Sequence, residues 1–165
     1  MDESNSTLNP IILHNSPSGA IERVIYALLE KYAKDAKEGR KPMIPLWLAP
    51  TQVRIIPLKD EFMEFSQSLF DKLTEQNIRV DIDDRNESIG KRIRESEKEW
   101  IRYVLVIGEK EVNSENLSVR DRTQSDVRDI SFNDFISEIR NQNQGKPNSS
   151  LNFPSLLSKR PVIQV

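Results

Sequence analysis

Residues 83 to 96 read DDRNESIGKRIRES, and they hold Arg85, Lys91, Arg92 and Arg94 close together. The alternating run Ile78-Arg79-Val80-Asp81-Ile82 just before them predicts a β-strand. After it Ser88 suits a helix N-cap, and Ile89, Ile93 and Trp100 recur at helical spacing on one face. Lys91, Arg92 and Arg94 then fall on the polar face, with Arg85 just before the turn. A strand that ends in a polar loop and opens a helix presents free backbone N–H groups beside cations. That arrangement suits an anionic or hydrogen-bonding ligand at the carboxyl edge of a sheet. A solvated helix face is the alternative reading of the same residues.

A second constellation lies near the amino terminus. Pro10-Ile11-Ile12-Leu13-His14 is a short apolar run with strand character. The stretch SPSGAIERVIYALLEKYAKDA follows, with Ile21, Val24, Ile25, Leu28, Leu29 and Tyr32 at the spacing of an amphipathic helix. Ser16 or Ser18 is its expected cap, Gly19 falls in the first turn, and Arg23 sits near the amino end, which makes a second candidate anion site. One strand and one helix cannot bury each other fully, so the missing neighbours are expected outside this chain.

These groups need a scaffold, and the chain has the length for one ordinary domain with appendages: 165 residues, 36% hydrophobic and 30% charged. The net charge is −2, from 24 basic and 26 acidic residues, so any polyanion site must be a local patch. With no cysteine, disulfides and thiolate metal sites are excluded, and His14 is the single histidine. No apolar run approaches the roughly 20 residues of a membrane span. The amino terminus, MDESNSTLNP, is unlike a signal peptide, so a soluble, cytoplasmic protein is the expectation.

Residues 37 to 45, KEGRKPMIP, read as a linker. Strands are expected at 53–58, 78–82 and 103–107, with helices at 60–76 and 88–100 between them. This β-α-β-α-β order implies an α/β fold with parallel strands, the apolar run Tyr103–Ile107 being central and Gly108 closing it. Residues 117–122 and 126–130 alternate and suggest two later strands joined by a hairpin. Ser131 caps a last helix bearing Phe132, Phe135, Ile136 and Ile139. The tail from 141 is irregular and locally basic, and it either docks through Leu151, Phe153, Leu156 and Leu157 or stays disordered.

Four segments in order, PIILHNSPSGAIERVI, PLWLAPTQVRIIPL, VDIDDRNESIGKRIRE and YVLVIGEKEVNSENLSVRDR, resemble the carboxyl-terminal part of threonyl-tRNA synthetases. The resemblance runs from about residue 9 to 140. WLAPTQV and DDRNESIGKRIRE resemble the anticodon-binding domain shared by several class II synthetases, and LSVRDR after GEKEV resembles the threonine-specific member. It implies a three-layer domain with a mixed five-stranded sheet flanked by helices over 43–140. A strand–helix remnant of a class II catalytic domain, with the linker, would fill 1–42, and 141–165 would be a tail.

The resemblance also implies sites. SGAIER looks like the third class II signature motif, which makes Arg23 a match for its ATP-binding arginine. His14 matches a zinc ligand, although zinc needs about three protein ligands and the others are not in this chain. Asn86, Glu111 and Arg120 match anticodon-reading positions. A carboxylate can accept from the guanine edge, an arginine can bond or stack on a base, and an amide offers one donor and one acceptor edge. Arg85, Lys91, Arg92 and Arg94 would support the RNA backbone.

The other two signature motifs, most of the catalytic sheet and any editing domain are missing from these residues. A fragment, a complete small product and one half of a split synthetase all remain open. No complete catalytic site is expected, and neither ATP nor zinc should bind this chain tightly by itself. The expected partners are threonine tRNA and the rest of the synthetase or a second chain, with a homodimer admitted for the parent and neither DNA nor membrane. One rival is an accessory or regulatory interaction module without RNA binding, which requires the base-reading positions to be buried or occupied by protein. The other is a small-ligand domain with an anion at the Ser88–Lys91 helix start, but no Gly-rich phosphate loop supports it.

Overall fold

A computed structural model describes residues 11–16, 19–114, 116–124 and 126–161. Five strands, β1 (Val53–Pro57), β2 (Val80–Ile82), β3 (Tyr103–Ile107), β4 (Asn116–Asp121) and β5 (Val127–Ser131), form one sheet in the order β2-β1-β3-β4-β5. β1 pairs parallel with β2 and β3, while β4 pairs antiparallel with β3 and β5. The mixed sheet agrees with the expectation, and so do the helices α1 (Ile21–Lys37), α2 (Met63–Glu75), α3 (Ile89–Lys98) and α5 (Phe132–Asn143). A single turn, α4 (Glu109–Val112), follows β3.

Strand alternation sorts the core into two unequal layers. Val53, Ile55, Tyr103, Leu105, Ile107, Leu117 and Val119 pack with Leu69 and Leu73 of α2 and Phe135, Ile136 and Ile139 of α5. On the opposite face Ile56, Val104 and Val106 meet Ile93 of α3 and Ile101. Helix ends follow local chemistry. Ser88 and Ser131 accept from the amides of Lys91 and Asp134, as expected of N-caps. α2 and α3 end in Schellman turns, with Ile78 N–H bonded to Leu73 O and Ile101 N–H to Ser96 O. The left-handed residues there are Asn77 (φ 60°), which tolerates the conformation, and Trp100 (φ 59°). Trp100 therefore does not continue the apolar stripe of α3 as expected. It stands beyond the helix and packs edge-on against Tyr32 of α1, ring centroids 5.7 Å apart.

The fold departs from expectation in two further places, and for the tail it takes the docked alternative. Ile11–His14 are not a strand but exposed coil, because no strand of the sheet pairs with them. α1 has Ala20 at its N-cap with no side-chain cap; Ser16 does not cap it, and Ser18 lies outside the described residues. The tail is ordered by docking: Leu157 is buried, Leu156 packs on the core, and Leu156 forms a parallel bridge with Ile82, whereas Phe153 stays exposed. The apolar stripe of α1 is exposed at Ile21, Ile25, Tyr26 and Leu29, and Tyr32 is the buried residue of that helix. Among the described residues no helix is long and apolar enough to cross a membrane.

Buried polar groups bind the layers together. Arg54 and Asp81, facing each other across β1 and β2, both have fully buried side chains and pair through two bonds of 2.8 and 2.9 Å. Glu99 adds a 2.8 Å bond to Arg54, Thr51 donates to Asp81 at 3.1 Å, and Arg160 of the tail reaches Asp81 at 3.0 Å. Removing one member of a buried pair leaves an uncompensated charge. Arg54→Leu is therefore expected to lower the unfolding free energy by about 3–5 kcal/mol, read from urea denaturation. Tyr103 gives a pH signature. Burial and its 2.7 Å bond to Glu138 push the phenol up to about 12. A raised pKa stabilises the folded state below the ordinary tyrosine value of about 10, and this contribution is lost as pH climbs toward 12. Tyr103→Phe should therefore flatten the alkaline decline in stability between those values.

Candidate nucleic-acid interface

Because β1, β2 and β3 are parallel, their carboxyl ends share one edge of the sheet. β1 ends there in Leu58 and Lys59, β2 in the loop Asp83–Ser88, and β3 in Gly108 and α4. β4 runs the other way, so its first residues return to the same edge. A cavity of about 660 Å³ opens between the β1 end and the β2 loop, lined by Lys59, Asp84, Asn86 and Glu87 among others.

The loop is held from within. The buried Asp83 carboxylate accepts from Arg85 Nε at 2.8 Å and Nη2 at 2.7 Å, and its carbonyl accepts from Arg92 Nη1 at 2.9 Å. Arg85 also pairs with Glu95 at 2.7 Å, and its bond to Asp83 is the chief reason its pKa is raised. Two of the expected backbone anchors are thereby tied to the protein, while both line the cavity. Arg92 is 6% exposed and points into the domain, and Arg85 is committed to two carboxylates. The physical reason is register: α3 lies over the sheet with Arg92 and Ser96 as its buried face, where a polar-face assignment had placed Arg92 in water. Lys91 is exposed and pairs with Glu87 at 2.6 Å. Arg94 is exposed and has no ion pair among the described residues. Asn86 is exposed, and its side chain makes no hydrogen bond among them.

The second half of the site lies three strands away, roughly 14 Å at the usual strand spacing. Glu111, 8% exposed, uses Oε2 to accept from Gly108 N–H at 3.0 Å and Oε1 to accept from the Ser118 hydroxyl at 2.6 Å. It therefore closes the first turn of α4 rather than standing free at the surface. Gly108 sits where an added Cβ would lie 2.7 Å from Leu58 Cδ1, so any larger residue displaces that side chain. The Ser118 oxygen also lies 2.9 Å from Asp129, which Lys110 neutralises at 2.7 Å; pairing with Lys110 holds Asp129 below the usual carboxylate range. A hydroxyl has one proton, so Ser118 donates to one of the two carboxylates at a time.

Arg120 lies two residues beyond Ser118 and so on the same face of β4. α3 does not cover this part of the sheet: Val127, across from Arg120, is exposed. Arg120 makes no hydrogen bond or ion pair among the described residues, and its Nε is buried without a partner. The structure thus sets Ser118 and Arg120 on one face of β4, with Glu111 of α4 bonded to Ser118, and keeps Asn86 on a separate loop. Ser118 was missed in the sequence, although the alternation of β4 places it beside Arg120.

Among the described residues the amino-terminal candidates are not joined to this edge by any hydrogen bond. Arg23 is exposed in the first turn of α1, and His14 is exposed coil. Among the described residues no group of three or more His, Cys, Asp or Glu side chains could hold a metal ion, so His14 does not fit a zinc site here.

A family model described as the anticodon binding domain matches residues 52–142. Threonine–tRNA ligases from Nitrosopumilus maritimus (strain SCM1) and Cenarchaeum symbiosum (strain A) are 67% and 53% identical over all 165 residues. That from Pyrococcus horikoshii is 48% identical over 160. The chain spans about a quarter of the length of these curated relatives, 27% of the first two and 26% of the third. Of solved structures, the RNA binding domain of threonyl-tRNA synthetase from Cryptosporidium parvum Iowa II has a TM-score of 0.56 at 26% identity. The likeness covers 65% of this chain and 26% of that one. Prolyl-tRNA synthetase from Cryptosporidium parvum shares the fold, with a TM-score of 0.54 at 22% identity over 62% of this chain and 24% of that one. With its sheet order, its half-open face and a family match over more than half its length, the chain belongs to the anticodon binding domain family.

Proposed function

We propose that the chain is the tRNA-binding part of a threonine–tRNA ligase, the enzyme that joins threonine to its tRNA using ATP, and that residues 43–140 take the anticodon loop. The observation that carries this reading is the Arg120 guanidinium, without a partner among the described residues, on the open face of β4. The half-buried guanidinium makes no ion pair among the described residues and can donate to a base edge or a phosphate. Glu111 beside it is held by two hydrogen bonds, and each oxygen keeps a lone pair for guanine-type donors. Asn86, across the edge, reads a different nucleotide. Single-stranded loops suit such a site because their bases can be splayed out. Lys91 and Arg94 meet the RNA backbone, while Arg85 and Arg92 hold the loop. The rival accessory-module reading requires these positions to be occupied by protein, which holds for Glu111 but not for Asn86 or Arg120.

Residues 1–42 complete a catalytic domain whose other parts lie outside this sequence, and the exposed stripe of α1 packs against them. Arg23 then serves ATP, and His14 contributes to zinc only with ligands from those parts. The whole works in the cytoplasm.

The test is binding of the chain to threonine tRNA and to a tRNA with another anticodon. Arg120→Ala and Glu111→Gln are expected to cost about 1–3 kcal/mol of discrimination at single anticodon bases. Lys91→Ala and Arg94→Ala should weaken all tRNAs alike and flatten the salt dependence. Arg92→Ala should instead lower the stability of the fold. A preference that survives loss of both Glu111 and Arg120 overturns the assignment. For zinc, the purified chain should retain no stoichiometric metal after dialysis against a weak chelator, measured by atomic emission.

A further inference from the structure

We propose that residues 147–161 act as a strap whose far end positions the loop bearing Asn86, with Ser158 as the positioning residue; this rests on the anticodon reading above. The strap begins at Asn148, which accepts from Arg79 Nη1 at 2.6 Å and donates to Asn77 O at 3.0 Å. It then runs along the outer edge of β2. Ile82 N–H donates to Ser155 O at 2.8 Å, Leu156 bridges to Ile82 in parallel, and Leu157 is buried. Arg160 closes it, bonding Pro154 O at 3.0 Å and reaching Asp81 at 3.0 Å.

Between those anchors Ser158 takes hold of the loop. Its N–H donates to Asp84 Oδ1 at 2.8 Å and its hydroxyl to Asp84 Oδ2. Among the described residues these are the hydrogen bonds of the Asp84 carboxylate. Asp84 stands two residues before Asn86, with Arg85 between them tied to Asp83. Among the described residues the loop is thus clamped on its inner side by Asp83, Arg85 and Arg92, at its helix end by the Glu87–Lys91 pair, and at Asp84 by Ser158. Among the described residues Asn86 makes no side-chain bond that could fix it, and its position follows from these clamps. Covering the short β2 edge is a second task of the same segment, but edge cover requires the Ser155 and Leu156 contacts and not the bonds to Asp84.

The experiment uses the whole chain. Ser158→Ala and Asp84→Ala are compared by hydrogen exchange at residues 84–88 and by binding to threonine tRNA and to single-base anticodon variants. Expected are faster exchange at the bonded amides of Arg85 and Glu87, unchanged protection in β3, and at least about a threefold loss of discrimination at one anticodon base. Ser158→Thr, which keeps the hydroxyl, should restore both. In a double-mutant cycle Ser158→Ala should add nothing to Asn86→Ala, because it acts through that residue. Unchanged exchange and discrimination in both single variants, or additive losses in the cycle, overturn the strap while leaving the anticodon reading standing. If the unaltered chain shows no anticodon preference, that reading fails and the proposal falls with it.

Discussion

The fold hangs on a charge pair that water cannot reach. Arg54 is the second residue of a strand otherwise made of valine, isoleucine and proline, and Asp81 faces it from the neighbouring strand. Burial by itself would drive the guanidinium toward its neutral form. The bonds to Asp81 and Glu99 outweigh that and keep it charged. Such a pair is a weak source of net stability, since desolvation consumes most of the Coulomb attraction. Its contribution is specificity: β1 and β2 can align in one register without stranding a charge. Through Glu99 the same network ties down the end of α3, and through Arg160 it ties down the tail.

The candidate site inherits its geometry from that register. With β2 fixed, the loop after it leaves the sheet at a set point, and Asp83 carries the constraint into Arg85 and Arg92. Arg85 and Arg92, on either side of the helix start, are therefore spent on structure, and Lys91 between them is exposed. Arg94 is exposed one turn on, and Arg120 is half-buried on β4. The open face arises because one helix covers only part of a five-stranded sheet on that side. A net charge of −2 is no obstacle, because recognition there depends on a few oriented groups and not on a general field.

The amino-terminal helix has the opposite character. Its stripe is apolar and largely exposed, and its link to the rest runs through Tyr32 and Trp100. A non-glycine residue in the left-handed region costs of order 1–3 kcal/mol, so the Trp100 backbone is held there by its Schellman bonds and its aromatic contact. With few buried contacts, α1 is the element most open to local unfolding in the isolated chain.

Much of this was legible in the residues. Helical and alternating periodicity located the strands and long helices, because a face buried against any core must be apolar at fixed spacing. Ser88 and Ser131 announced their helix starts, since capping depends on neighbours three residues away. The four family-like segments pointed to the mixed sheet that is found, and Asn86, Glu111 and Arg120 come from the same resemblance as proposed readers. Tertiary structure alone decided what each charge was for. Arg54 and Asp81 are 27 residues apart in sequence and touch only because two parallel strands align. Arg92 looked like surface until α3 was laid on the sheet, and the tail looked aimless until β2 offered it an edge. Periodicity reports which face is apolar, whereas a polar group's partner is set by the packing of distant segments, and no local pattern encodes that.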